Sequence, residues 1–239
     1  MTRVLQTSDP GAVREAAAVL AGGAVVALPT DTVYGLAVDP TQPEAVERLF
    51  ACKGRPADVP VPILVAGREQ VALVSGELEA AAQAMADRFW PGPLTLVIPR
   101  LLEFNVDLGG PDSARRTVGV RRPDHPVVVA LCELFGPLAV SSANRHGAPP
   151  ATTATEVVRA FIGSDQPELI LDGGTCHGVP STVVECRGTV SRCLREGALP
   201  WSVLLGPDDP DGVGHPGAGP GPGVDGAGPD GGHLGNAAR

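Results

Sequence analysis

The sequence predicts one α/β domain, a twisted mixed β-sheet with helices packed on it, followed by an acidic Gly/Pro-rich tail. Three observations carry that reading. Apolar runs of strand length alternate with stripes of helical spacing, the pattern of crossover connections. The last two runs, Thr182–Cys186 and Val190–Leu194, are close enough to form a hairpin, which makes the sheet mixed. Finally, Gly206 to Arg239 is mostly Gly, Pro, Asp and Ala, too poor in apolar groups to offset the entropy of ordering. The folded domain is therefore placed at residues 1–205 and a disordered tail at 206–239.

The elements follow in order. Ser8-Asp9-Pro10 opens a helix whose stripe Val13, Ala16, Ala17 and Leu20 ends at Gly22-Gly23. Ala24 to Leu28 is a short apolar strand running into a turn at Pro29. Pro43 to Cys52 is a helix with Val46, Leu49 and Phe50 inward, and Val61 to Val65 a strand. Leu78 to Phe89 is a helix closed by Trp90-Pro91-Gly92-Pro93, a segment that shapes a turn and packs its indole. Leu94–Ile98 and Thr117–Val120 are strands, Pro126–Phe135 a helix, and Leu138–Val140 a buried strand entering Ser141-Ser142-Ala143-Asn144. Thr153 to Ile162 is a helix capped by Thr152 or Thr153, and Leu169–Leu171 a strand leading to an Asp172-Gly173-Gly174 turn.

Composition limits the function. Hydrophobic residues make up 43% and aromatics only 3%, so the core is Val, Leu and Ala. A formal charge of -9 argues against a general nucleic-acid binder but leaves room for a local basic cleft. No run reaches the ~18 apolar residues of a membrane span. Met1-Thr2-Arg3-Val4 lacks the apolar stretch of a signal peptide, so a cytoplasmic location is expected. Five cysteines without a CxxC pair read as buried reduced thiols. The spacing of Cys176, His177, Cys186 and Cys193 matches no common zinc module.

The chain has a single lysine, Lys53, and a single tyrosine, Tyr34. Both lie in polar turns, and such turns after strands are where open sheets bind ligands. Thr30-Asp31-Thr32 follows a strand, and the same residues would also stabilise a simple turn. Lys53-Gly54-Arg55 brings two cations past a helix end, where they also complement the helix dipole. Period-two alternation sends Thr117 and Arg121 to one sheet face, and an inward arginine needs an anionic partner. Ser142 and Asn144 follow a buried strand, and Ser181 and Arg195 lie in two further turns. The common nucleotide and hydrolase signatures are absent, as is a Ser-His or Cys-His pairing. Hydroxyls, arginines, one lysine and an amide suit an anionic polyphosphate ligand, with catalysis by positioning and charge neutralisation.

Seven segments in order, Pro29–Leu36, Lys53–Pro56, Trp90–Thr95, Val118–Pro126, Ser142–Gly147, Gly178–Thr182 and Leu194–Gly197, resemble the motifs of the YrdC-like family, the threonylcarbamoyl-AMP synthases. The resemblance covers about residues 8–200. It implies a twisted mixed sheet around a positively charged cavity. The implied reaction joins L-threonine, bicarbonate and ATP into L-threonylcarbamoyl-AMP and pyrophosphate, with Mg2+ accompanying the nucleotide. A downstream transferase complex would pass the product to tRNA beside the anticodon. By position, Thr30, Thr32, Arg121 and Ser181 would meet threonine, and Lys53 and Arg55 the phosphates as the catalytic cations. Thr117, Ser142, Asn144 and Arg195 would surround the nucleotide. His125 is expected to be structural. Three departures stand out: no histidine in Val59-Pro60-Val61-Pro62-Ile63-Leu64-Val65, Pro150 in place of a serine, and Pro180 in place of a glutamate. The C-terminal domain of longer relatives is not expected here, since the Gly/Pro-rich tail stands where it would begin. Direct contact with nucleic acid is expected to be weak, and no membrane partner is expected. The competing readings are an RNA-binding module without turnover and a related carbamoyl-transfer enzyme.

Overall fold

The computed structural model describes residues 2–54, 59–163 and 165–205. Arg55 and the 206–239 tail thus lie outside the described residues. Ten strands form one mixed sheet. They are β1 (Arg3–Gln6), β2 (Val26–Leu28), β3 (Gly35–Val38), β4 (Ile63–Leu64), β5 (Leu94–Pro99), β6 (Thr117–Arg121), β7 (Leu138–Ser142), β8 (Leu169–Asp172), β9 (Thr182–Arg187) and β10 (Val190–Arg195). Their order across the sheet is β1-β8-β2-β3-β7-β4-β6-β5-β9-β10. β1, β8 and β2 run parallel, as do β4 with β6 and β5 with β9; the other neighbours are antiparallel.

The helices are α1 (Ala12–Ala21), α2 (Pro43–Lys53), α3 (Arg68–Ser75), α4 (Ala80–Phe89), α5 (Pro126–Phe135), α6 (Ala154–Ala160) and α7 (Trp201–Leu205). Strand alternation divides the apolar residues between two cores, one on each sheet face. Val26, Leu28, Leu138, Val140, Leu169 and Leu171 point toward α1 and α5, meeting Ala16, Leu20, Val128 and Leu131. Ala27, Ala139 and Ile170 point the other way, toward Ala45 and Leu49 of α2, Ala82 and Met85 of α4, and Val157 of α6. Central strands buried on both faces read as unbroken apolar runs, which is why the sequence reveals them. Each fully buried Leu contributes roughly 1.5–3 kcal/mol.

Local chemistry sets the ends. Pro43 and Pro126 occupy first-turn positions of α2 and α5. Thr153 caps α6 by accepting from the Glu156 amide, while the Glu156 carboxylate accepts from the Thr152 amide and hydroxyl, a reciprocal cap. Gly54 ends α2 in the left-handed region at φ 59°.

Four expectations need correction. The Pro29–Leu36 turn does not run through Leu36, because Gly35–Val38 is a fully buried strand between β2 and β7. β1 is a strand that the sequence analysis did not foresee, as are the helices α3 and α7. The first helix starts at Ala12 behind Gly11, not at Ser8, and buries Ala12, Ala16 and Leu20. The Leu78–Phe89 helix starts at Ala80.

Candidate functional site

Strand ends on one side of the sheet converge on a two-lobed cleft. The first lobe, about 240 Å³, is lined by Thr30, Thr32, Arg121, Ser141 and Ser142, with Leu64 and Pro150. The second, about 420 Å³, is lined by Pro60, Pro62, Val97, Thr117, Gly119 and Val183, with Glu185, Arg187 and Arg192 also on its lining. Val59, Pro60, Pro62, Thr95, Ser181 and Arg195 line both, so these residues mark the junction. The floor follows strand alternation: Thr117, Gly119 and Arg121 come from one face of β6, and Ser181, Val183 and Glu185 alternate from the start of β9.

In the first lobe the polar groups are tied together. Arg121 is 6% exposed; its Nε donates to the Gly92 carbonyl at 3.1 Å and its Nη1 to Thr32 Oγ1 at 3.0 Å, while Nη2 pairs with Asp31. The inward arginine thus finds its anion within the chain, across 90 residues. Burial lowers the Arg121 pKa, and the Asp31 charge opposes that shift. Thr30 and Thr32 pair through their hydroxyls at 2.8 Å, and Thr30 Oγ1 also accepts from the Thr32 and Val33 amides and donates to the Val33 carbonyl. The segment is a hydroxyl-stabilised turn and a wall of the cleft together. Asp31 Oδ2 and His125 Nδ1 are buried without hydrogen-bond partners among the described residues. His125 caps α5 through its backbone, and burial lowers its pKa.

The wall beyond Ser142 is held by Lys53. Its side chain is buried, and Nζ donates to the Ser142 carbonyl at 2.5 Å, the Asn144 carbonyl at 3.0 Å and Asn144 Oδ1 at 3.2 Å. Asn144 Oδ1 also accepts from Ser142 Oγ at 2.6 Å. Lys53 and Asn144 therefore line neither lobe; they brace the turn that presents Ser142. A compact ammonium suits these closely spaced acceptors, whereas arginine would bring a longer, planar fork.

At the junction the chemistry differs. Thr95 Oγ1 and Ser181 Oγ lie 2.9 Å apart, both buried. Arg195 Nη2 donates to the Ser181 carbonyl at 2.8 Å and approaches Ser181 Oγ at 3.4 Å. Among the described residues Arg195 has no acidic partner, and desolvation in the cleft lowers its pKa. Thr182 Oγ1 locks the adjoining loops by accepting from the Gly197 and Leu199 amides and donating to the Leu199 carbonyl at 2.6 Å. Gly197 packs so closely that a Cβ there would lie 2.3 Å from the Pro180 carbonyl oxygen.

Of the expected site residues, Thr30, Thr32 and Arg121 share the first lobe with Ser142; Thr117 lines the second, and Ser181 and Arg195 join the two. Two departures are visible: Leu64, from the stretch that lacks a histidine, and Pro150 both line the first lobe. Thr95, Asp31 and Tyr34 were not expected as site residues. Tyr34 is buried, donates to the Gly174 carbonyl at 2.9 Å and accepts from the Gly173 amide at 3.2 Å, tying the threonine turn to the turn after β8. Its place in a polar turn as the chain's one tyrosine was the available signal. Trp90 Nε1 donates to the Leu94 carbonyl at 2.7 Å, so the indole shapes its turn as expected. All five cysteines are buried free thiols.

A family model described as telomere recombination, the Sua5/YciO/YrdC domain, matches residues 18–197. A threonylcarbamoyl-AMP synthase of Pyrococcus abyssi is 44% identical over 195 residues, covering 80% of this chain and 56% of that protein. One from Bacillus subtilis is 38% identical over 204 residues, covering 83% and 57%. The chain thus spans little more than half the length of these curated relatives. The crystal structure of P. abyssi Sua5 complexed with L-threonine superposes with a TM-score of 0.75 at 38% identity, covering 84% of this chain and 58% of that one.

Proposed function

Because the chain belongs to the Sua5/YciO/YrdC family, we propose that it is a threonylcarbamoyl-AMP synthase, condensing L-threonine, bicarbonate and ATP to L-threonylcarbamoyl-AMP, pyrophosphate and water. The observation that supports this most is the joined pair of lobes. A small hydroxyl- and arginine-lined lobe and a larger, more apolar one meet at Arg195, which has no acidic partner among the described residues. Such a cleft suits two substrates of unlike polarity that must become covalently linked through an anion.

In this reading the first lobe takes threonine beside Thr30, Thr32, Arg121 and Ser181. Arg121 Nη1 and Nη2 each carry a second N–H, and a carboxylate can accept both in a fork. The nucleotide takes the second lobe beside Thr117 and Arg195 and reaches across the junction to Ser142 on its Asn144-braced turn, with Lys53 and Arg55 as the phosphate cations. For Lys53 to touch phosphate, Nζ must exchange at least one of its acceptors at Ser142 or Asn144 for a phosphate oxygen. Otherwise it acts by holding that turn. A carbamate oxygen attacks the α-phosphorus in line, and the cations neutralise the leaving pyrophosphate. Mg2+ bound with the nucleotide would supply further charge neutralisation to the leaving pyrophosphate. The product then passes to a transferase acting on tRNA in the cytoplasm. No described helix is long and apolar enough to cross a membrane.

The test is pyrophosphate release from ATP by the purified protein. Release should require both threonine and bicarbonate, and mass spectrometry should show the threonylcarbamoyl adenylate. Release independent of either co-substrate, or salt-sensitive RNA binding with no turnover, overturns the proposal.

A further inference from the structure

We infer that Thr95, Ser181 and Arg195 form the subsite that holds bicarbonate, and the carbamate made from it, where the two lobes meet. This rests on the synthase reading and adds to it a place for the third substrate. Topology comes first. If the amine lies in one lobe and the α-phosphate in the other, the carbon that joins them must lie at the junction. Thr95, Ser181 and Arg195 are the polar side chains lining both lobes.

Hydrogen counting comes second. Two hydroxyls carry two hydrogens, and the Thr95–Ser181 contact at 2.9 Å uses one of them. Among the described residues neither hydroxyl makes another donation, so one hydroxyl hydrogen is unused. Among the described residues Arg195 Nη2 donates only to Ser181, and the guanidinium makes no ion pair. One hydroxyl donor and a planar cation side by side suit a planar anion with oxygens in a fork. The site is also preorganised, since Thr182 and the close-packed Gly197 fix the loops on both sides of Ser181.

The chemistry balances there. The neutral amine nitrogen of threonine bonds to the bicarbonate carbon. The C–OH bond breaks, and the hydroxyl leaves as water with one amine proton. The carbamate keeps the single negative charge that bicarbonate brought, so Arg195 and the free hydroxyl hold the same charge before and after the step. One carbamate oxygen then faces the nucleotide lobe.

Either single substitution leaves one hydroxyl hydrogen free, so the double variant Thr95→Val/Ser181→Ala, which removes both, isolates the claim. In CO2-depleted buffer with bicarbonate titrated back, the KM for bicarbonate should rise about ten- to a hundred-fold, the loss of one hydrogen bond to a charged group. The KM for ATP should stay in place, and Thr95→Val alone should keep close to the wild-type bicarbonate requirement. If the double variant does not fold, by melting temperature, Arg195→Lys should raise the bicarbonate KM while leaving the threonine KM in place. An unchanged bicarbonate KM, or three KM values rising together, overturns the subsite while leaving the synthase reading standing. Wild-type turnover that ignores bicarbonate overturns both.

Discussion

The cleft contains the same assembly twice, a pair of hydroxyls beside an arginine, and the two copies differ in what they leave unsatisfied. In Thr30–Thr32–Arg121 the hydroxyls, amides and guanidinium are bonded to one another, and Asp31 supplies the counter-charge. In Thr95–Ser181–Arg195 a hydroxyl hydrogen and the cation have no such partner among the described residues. The first carries its counter-charge within the chain, and what it leaves over is Asp31 Oδ2 and the second N–H groups of Arg121. The second stores a charge for something that arrives. An arginine in a cavity is therefore not a ligand signal by itself; its counter-ion decides.

The sharpest test of that difference compares Asp31→Ala with Arg195→Ala in urea denaturation. Removing Asp31 strands a buried guanidinium and should cost about 3–5 kcal/mol. Removing Arg195 strands no carboxylate and should cost less than about 1 kcal/mol, while crippling turnover. Equal losses of stability would erase the distinction. Lys53→Met is the next largest effect, because it leaves the Ser142 and Asn144 carbonyls without their ammonium donor. A loss of about 1–3 kcal/mol is expected, together with a raised ATP KM. Unchanged stability would mean that the brace is dispensable.

Tyr34→Phe should cost about 0.5–1.5 kcal/mol for the lost latch. The phenol also gives a pH signature. Desolvation by burial raises its pKa to about 12. The folded state therefore keeps the proton that the unfolded chain gives up at the ordinary value of 10.0, and this contribution is complete below that pH and lost as pH climbs toward 12. With one tyrosine in the chain, tyrosinate absorbance reports it directly; a titration near 10 refutes the burial. The smallest effect lies at acid pH. His125 is depressed by burial, with Asp31 and Asp124 opposing. Unfolding takes up a proton there, so stability falls as pH drops from the ordinary histidine range through the lowered pKa. His125→Gln should flatten that limb, and an unchanged acid limb counts against the assignment.

What the sequence revealed follows the same physics. The double-sided strands β2, β7 and β8 were legible because both faces are apolar, and α5 because Pro126 and its stripe agree. β1 was not, since Arg3–Gln6 is an exposed edge without alternation, and α3 was not, since it buries only Val71 and Val74. The need for an anion at Arg121 was legible from period two alone. That the anion is Asp31 was not, because the pairing depends on strands that meet across the sheet. Thr95 sat unnoticed inside a motif whose tryptophan and prolines drew attention to turn-making. The tail and Arg55 stay where the sequence left them.

The strand order has a consequence for how the chain is made. β1 and β2 emerge first from the ribosome, yet both hydrogen-bond to β8, whose residues are Leu169–Asp172. β3 waits for β7, and β5 for β9. β2 can pair early with β3, and β5 with β6, but β1 has no partner before β8, and the outer edges of β2, β3 and β5 stay open to wrong partners until the late strands slot beside them. Folding is therefore expected to be largely post-translational, and chains that stop short of β8 to aggregate rather than form a smaller stable core.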